Sequence, residues 1–223
     1  MCGRFTIRKP VTKTVDIVKT NIKVEDSNNY NAHPTQKLPI IKSYTNGKAL
    51  ELYEWGLVPS WSKKLDYEVE LAVVIGKEAS NVLEDEALDC VFGYFILNDI
   101  SDRHVQKVIG NGHWTLGKSW CAPAGGFLIT KEHIKDVNNI NLSLSVNGEI
   151  RQNGNTKNMI FKVKYLISHI SKYLTLKPGT IISTGTPAGT GMEQKPQKFL
   201  QVGDKLHLKV DHLGEQEYEI VEA

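Results

Sequence analysis

Residues 66–76 read DYEVELAVVIG. Aliphatic and β-branched residues dominate the second half, which predicts a strand. Side chains of a strand alternate between its two faces, so Glu68 and Glu70 share one face. Val69, Leu71 and Val73 then turn the other way, into a core. Two carboxylates side by side repel unless a proton or a cation lies between them. Oxygen ligands suit a hard cation such as Mg²⁺, Mn²⁺ or Ca²⁺. On residue types alone a solvated strand face is the commoner outcome, by about four to one.

The residues downstream change those odds. VFGYFILND (91–99) alternates as a strand and ends on Asp99, placed where an acid at a strand's C-terminal end points into a cleft. The plain alternative for Asp99 is an acid favoured by the dipole of the helix that follows. ISDRHVQKVI (100–109) predicts that short helix, with Ser101 at its N-cap. Arg103 and Gln106 lie three apart on one helix face. The forked guanidinium of arginine suits a substrate carboxylate. Lys118 stands between two tryptophans in WTLGKSW (114–120). A lysine buried in that way polarises a carbonyl or stabilises an enolate. In STGTPAGTG (183–191) Thr184 and Thr186 offer hydroxyls and backbone N–H groups to an anion. No Gly-Lys-Ser/Thr closes this loop, which excludes a Walker site. Each feature has a bland counterpart: a surface helix pair, a surface lysine, a plain turn.

The remaining segments set the fold class. EASNVLEDEALDC (78–90) predicts a loop and a short helix, and LSLSVNGEIRQ (142–152) a hairpin turning at Asn147–Gly148. Apolar residues at 163, 166, 167, 170, 173 and 174 have helical spacing, and Pro178–Gly179 ends that element. Residues 200–221 supply the last strands. Upstream, KLPIIKSY (37–44) and ALELYEWGLV (49–58) predict a hairpin about Asn46–Gly47. Lys63–Lys64 marks a seam between a small β-rich segment, 1–64, and a larger domain, 65–223. The chain is expected to be α+β and dominated by strands.

Composition narrows the partners. Of 223 residues 40% are hydrophobic and 23% charged, the balance of a globular chain. Lys plus Arg is 27 against 25 for Asp plus Glu, and a net charge of +2 gives no ground for a nucleic-acid partner. Three cysteines, Cys2, Cys90 and Cys121, make no disulfide framework. The first residues lack the apolar core of a signal peptide, and no run approaches the roughly 20 apolar residues of a membrane helix. A cytoplasmic chain with no membrane partner is expected.

Taken in order, DYEVELAVVIG, NDISDRHVQ, WTLGKSW, VNGEIRQ, NMIF and LTLKPGTIISTGTPAGTG resemble the fumarylacetoacetate hydrolase family across residues 66–214. The resemblance implies a strand-rich mixed β roll. It implies a divalent cation, Mg²⁺ or Mn²⁺ with Ca²⁺ as a third candidate, held by Glu68, Glu70 and Asp99. It further implies Lys118 as a catalytic residue and Arg103, Gln106 and Thr186 as contacts for a small 2-oxo acid, in a homodimer. The family cleaves C–C bonds of acylpyruvates and related diketo acids, and some members decarboxylate, isomerise or hydrate 2-oxo acids. Two departures stand out. WCAPAGGF (120–127) is a few residues shorter than the family pattern. The lid whose His–Glu pair activates water in the hydrolases has no match ahead of Glu68, where His33 is the only histidine.

The first third is similar to a different family. MCGRF (1–5), NYNAHP (29–34) and WGLVPSW (55–61) resemble the start of the SOS-response-associated peptidase family. That resemblance implies loss of Met1 and a catalytic Cys2, whose adjacent amine and thiol condense with the aldehyde of an abasic site in single-stranded DNA. Asn31 matches the active-site asparagine, while the later Arg, Glu and His motifs are missing. DNA is therefore a partner only under this second reading. The whole chain reads as a truncated front of one family joined to the core of another.

Overall fold

A computed structural model describes residues 64–107, 118, 122–125 and 127–221 with their side chains. Residues 108–109 and four short N-terminal strands are described as backbone. Those four are β1 (Phe5–Ile7), β2 (Asn29–Ala32), β3 (Lys37–Tyr44) and β4 (Gly47–Glu54). β1 pairs with β2, and β3 pairs antiparallel with β4 from Lys37↔Glu54 to Tyr44↔Gly47. The hairpin expected near Asn46–Gly47 is present. Gly47 lies in its second strand, and the two turn residues are outside the described set.

Two four-stranded antiparallel sheets build the larger part. After the short β5 (Leu65–Asp66), β6 (Val69–Ile75) and β7 (Val91–Asn98) pair antiparallel, Val69 opposite Asn98. β8 (Ser101–Asp102) pairs back onto β5. β9 (Ile129–Thr130) flanks β7. β10 (Asn141–Val146) and β11 (Glu149–Asn155) form the expected hairpin. Asn147 and Gly148 both have positive φ, the conformation a two-residue turn of this type needs. β12 (Ile181–Ser183) borders β6, and β13 (Lys205–Val210) with β14 (Gly214–Glu219) completes the second sheet. The orders are β12-β6-β7-β9 and β11-β10-β13-β14. No helix among the described residues is long and apolar enough to cross a membrane.

Alternation along β6 does what the sequence predicts. Val69, Leu71, Val73 and Ile75 enter one core with Leu142, Leu144, Leu206, Leu208 and Val210 of the other sheet. Burying an aliphatic side chain of this size contributes about 1.5–3 kcal/mol, so this face fixes the register of β6. Ala72 faces the opposite way and packs with Phe95 and Leu97. Glu70 is on that opposite face. Among the described residues the α-helical elements include α1 (Glu84–Ala87) and α2 (Val163–Ser171), which buries Val163 and Ile167, and a short helical stretch over 103–109 follows β8. A strand-dominated α+β fold is what the structure shows.

Two local expectations need correction. The helix expected through Leu174 stops with Lys172 as its C-cap, and Tyr173 and Leu174 are exposed. Leu176 and Ala79 exchange both backbone hydrogen bonds, at 2.9 Å each, and this bridge draws the chain off the helix axis. The cap of the helix after β8 is Asp102, one residue beyond Ser101. Asp102 Oδ1 accepts from the N–H groups of His104 (2.8 Å) and Val105 (3.1 Å). The Ser101 hydroxyl instead donates to the Asp99 carbonyl at 3.0 Å.

Candidate metal centre

Glu68 immediately precedes β6 and Asp99 immediately follows β7. The pairing of Val69 with Asn98 therefore sets the two acids side by side. The Asp99 N–H donates to the Glu68 carbonyl at 2.9 Å. The Glu68 N–H in turn donates to Asn98 Oδ1 at 2.8 Å. Glu70, two residues along the same face, completes the set. One oxygen from each of Glu68, Glu70 and Asp99 lies within 4.8 Å of the others. All three carboxylates are almost wholly withdrawn from solvent.

Burial of charge demands partners, and each acid has them. Lys118 Nζ donates to Glu68 Oε2 (2.6 Å), Asp99 Oδ2 (2.7 Å) and the Ser101 hydroxyl (3.0 Å). Arg103 donates through Nε to Asp66 Oδ2 at 2.8 Å, through Nη1 to Gln106 Oε1 at 3.0 Å, and through Nη2 to Glu68 Oε1. Glu70 Oε2 accepts from the Ser183 hydroxyl and from the Gly185 N–H at 3.0 Å. Burial pushes Glu70 up to about 7; the neighbouring Asp99 and Glu68 add to the rise, and the Ser183 and Gly185 donors oppose it. Burial also raises Asp99, against the pull of Lys118. For Lys118 burial works against the charge, yet Glu68 and Asp99 outweigh it and hold the ammonium above its ordinary value. Lys118, like Arg103, is thus held in its charged form by the acids around it.

The donor set fits a divalent cation. Asp66, Glu68, Glu70 and Asp99 bring four negative charges when ionised, and Arg103 and Lys118 bring two positive ones. The difference, two negative charges, is what a divalent ion neutralises. The Lys118 ammonium already bridges two of the three carboxylates, which marks the place as one that attracts cations.

The other expected residues are placed as follows. Arg103 is 2% exposed, and its guanidinium is engaged by Asp66, Glu68 and Gln106. The side chain of Lys118 is 30% exposed, while its flanking tryptophans are outside the described residues. The shortened WCAPAGGF segment is described only in part, and Cys2 and the side chain of Asn31 are not described. The Thr186 hydroxyl donates to the Val69 carbonyl at 2.9 Å and accepts from Gln152 Nε2 at 2.8 Å. Thr184 donates to the Leu71 carbonyl at 2.7 Å. Both threonines stitch the Gly-rich loop to the edge of β6. Beyond this loop lies a cavity of about 530 Å³ with Leu142, Met159, Phe161 and Pro187 in its wall; the three carboxylates do not line it.

Sequence reasoning missed four residues of this centre. Asp66 is fully buried and holds Arg103. Its signal was available, because Asp66, Glu68 and Glu70 share the same parity. Asn98 accepts from the Glu68 N–H and donates to the Tyr218 hydroxyl. Ser183 lay unremarked at the head of the Gly-rich loop, and Gln152 at the end of the hairpin motif.

Comparison with known proteins gives a consistent picture. The family model described as fumarylacetoacetate (FAA) hydrolase C-terminal matches residues 26–221. The match begins upstream of the seam at Lys63–Lys64. An uncharacterized protein of Staphylococcus saprophyticus is 36% identical over 208 residues, which is 92% of this chain and 68% of that protein. The fumarylacetoacetate hydrolase from psychrophilic Exiguobacterium antarcticum superposes with a TM-score of 0.72 at 26% identity, covering 94% of this chain and 87% of that one. A fumarylpyruvate hydrolase from Pseudomonas aeruginosa, solved in complex with Mn²⁺ and pyruvate, gives 0.68 at 26% identity over 79% of each chain.

Proposed function

This chain belongs to the fumarylacetoacetate hydrolase family, and from that premise we propose that it breaks C–C bonds of small 2-oxo acids, with decarboxylation of an oxaloacetate-type substrate as its favoured reaction. The observation that carries the reading is the triad Glu68, Glu70 and Asp99 with Lys118 at its edge. Glu68, Glu70 and Asp99 are the proposed ligands of Mg²⁺ or Mn²⁺. A cation bound there supplies Lewis-acid polarisation of the substrate's carboxylate and carbonyl oxygens. The solved relative with Mn²⁺ and pyruvate supports the same class of metal and ligand.

The chain's own residues supply the rest. Lys118 keeps its proton and presents an ammonium to the oxygen on which negative charge develops as the C–C bond breaks. When carbon dioxide leaves, the bonding pair passes into an enolate; Lys118, whose three N–H groups now serve Glu68, Asp99 and Ser101, must turn one of them to that oxygen to stabilise it. Arg103 holds Glu68 at a fixed angle from behind. For Arg103 and Gln106 to meet the substrate carboxylate, as the family resemblance implies, they must exchange some of their present partners. For Thr186 to meet substrate as well, its hydroxyl must likewise exchange the Val69 carbonyl or Gln152. Among the described residues, the side chains that hydrogen-bond the carboxylate oxygens of the triad are Arg103, Lys118 and Ser183, all donors. Such surroundings favour stabilising an enolate over activating a water.

Titration calorimetry with Mn²⁺ tests the ligand set: one site in the native chain, and none after Glu70→Ala. Equal heats from the two proteins would sink it. The division at residues 64 and 65, a homodimeric assembly and a cytoplasmic location remain part of this proposal. For residues 1–64 the MCGRF start supports a second reading, capture of an aldehyde by Cys2. It rests on sequence alone.

A further inference from the structure

Asp66 makes four hydrogen bonds from a position with no exposure to solvent. Its Oδ1 accepts from the N–H groups of Tyr67 (2.9 Å) and Gly191 (2.6 Å). Its Oδ2 accepts from the Met192 N–H at 3.0 Å and from Arg103 Nε at 2.8 Å. One carboxylate therefore ties three things together: the strand that carries Glu68 and Glu70, the helix that carries Arg103, and the far end of the Gly-rich loop. The near end of that loop is fixed by a different acid, since Ser183 and Gly185 both donate to Glu70. Both glutamates of the triad are thus gripped by one loop, Glu70 directly and Glu68 through Asp66 and Arg103. Chain packing at Gly191 is tight. A Cβ there would stand 2.1 Å from the Lys198 carbonyl oxygen and 2.8 Å from Asp66 Oδ1.

We propose that Asp66 is a positioning residue of the metal centre, which sets the angle of Arg103 and thereby presents Glu68 to the cation. The proposal rests on the metal reading above. Asp66 does not itself join the triad; it lies behind Arg103, in the outer layer that orients a ligand. Outer-layer partners of this kind change metal affinity by about 10- to 100-fold when removed. The bond from Arg103 is charge-assisted at both ends and holds a planar group, so orientation is what Asp66 contributes. Asn cannot replace it. Two N–H donors, from Met192 and Arg103, converge on Oδ2, and an amide nitrogen there would meet both with its own hydrogens.

The test measures Mn²⁺ affinity by calorimetry in the full chain for Asp66→Asn, Arg103→Lys and the double variant. The expected result is a rise in Kd of about 10- to 100-fold for each single variant. The double variant should be no weaker than the worse single, because both break one linkage. A purely structural role would lower the melting temperature and leave the Kd of the folded fraction unchanged, and that overturns the proposal. Additive losses in the double variant overturn it also. Should Asp66→Asn fail to fold, Arg103→Lys decides: it keeps the charge and loses the fork, and an unchanged Kd contradicts the role given to Asp66. Absence of any Mn²⁺ site in the native chain is a separate outcome, which removes the metal reading itself.

Discussion

Lys118 Nζ lies 2.7 Å from Asp99 Oδ2 and 2.6 Å from Glu68 Oε2, so the ammonium and a divalent cation held as proposed would draw on the same oxygens. Two positive charges a few ångströms apart repel inside a protein. Lys118→Met should therefore bind Mn²⁺ at least as tightly as the native chain. Turnover should fall about 100- to 1000-fold, the usual effect of losing one donor to a developing oxyanion. Calorimetry and a decarboxylation assay on one preparation separate the two effects. Parallel loss of binding and turnover would make Lys118 a structural lysine.

Why the triad was legible and its support was not is a matter of range. Glu68 and Glu70 share a face because a strand has period two, and Asp99 joins them because it ends the neighbouring strand. Those are local rules, as is the Asn147–Gly148 turn. Asp66 obeys the same parity, yet its partners are 37 and 125 residues away, and no local rule names them. Ser101 and Asp102 are both good caps one residue apart, so only the paired strands β5 and β8 decide between them. Spacing gave the right face of α2 but not its end, which a bridge to Ala79 sets. Arg103 read as a free fork for substrate because its acid partners were invisible.

Burial should make the metal-free protein sensitive to pH through Glu70. Its carboxyl is raised from 4.5 to about 7, chiefly by desolvation. The folded protein then holds a proton that the unfolded chain releases. That contribution to stability is complete below about pH 4.5 and is lost as pH rises through about 7, a change on the order of 3 kcal/mol. A cation needs the carboxylate, so binding expels the proton and affinity grows with pH up to about 7. Melting curves from pH 5 to 8 should show a falling metal-free midpoint and a Mn²⁺ stabilisation that increases. Glu70→Gln should remove both trends, and their persistence in that variant would assign them elsewhere.

Gln152 should matter to stability out of proportion to its distance from the triad. It is fully buried, accepts from the Val69 N–H at 3.0 Å, and donates to Thr186 Oγ1 and the Pro187 carbonyl at 2.8 Å each. Gln152→Ala strands these buried groups and opens a void at the edge of β6. A loss of about 2–4 kcal/mol is expected. Urea unfolding measures it; a loss under about 1 kcal/mol would show that water or a loop shift replaces the amide.

The ratio of two activities tests the chemical reading most directly. Hydrolysis of an acylpyruvate needs a water made nucleophilic by a base, and general base catalysis contributes about 10²–10⁴-fold. Decarboxylation needs only that the electron pair left by carbon dioxide be stabilised. The side chains that bond the triad's carboxylates suit decarboxylation, since Lys118 and Arg103 are cations and Ser183 donates a hydrogen bond to Glu70. The sequence ahead of Glu68 has one histidine, His33, where the family's hydrolases place a His–Glu pair. Oxaloacetate decarboxylation should therefore exceed acylpyruvate hydrolysis with Mn²⁺ or Mg²⁺ present, and Glu70→Ala should abolish both. Pyruvate formation from each substrate, followed through a coupled reduction, gives the ratio. Robust hydrolysis with no decarboxylation would mean that a base reaches the site from a segment outside the described residues, and the lyase preference would fall.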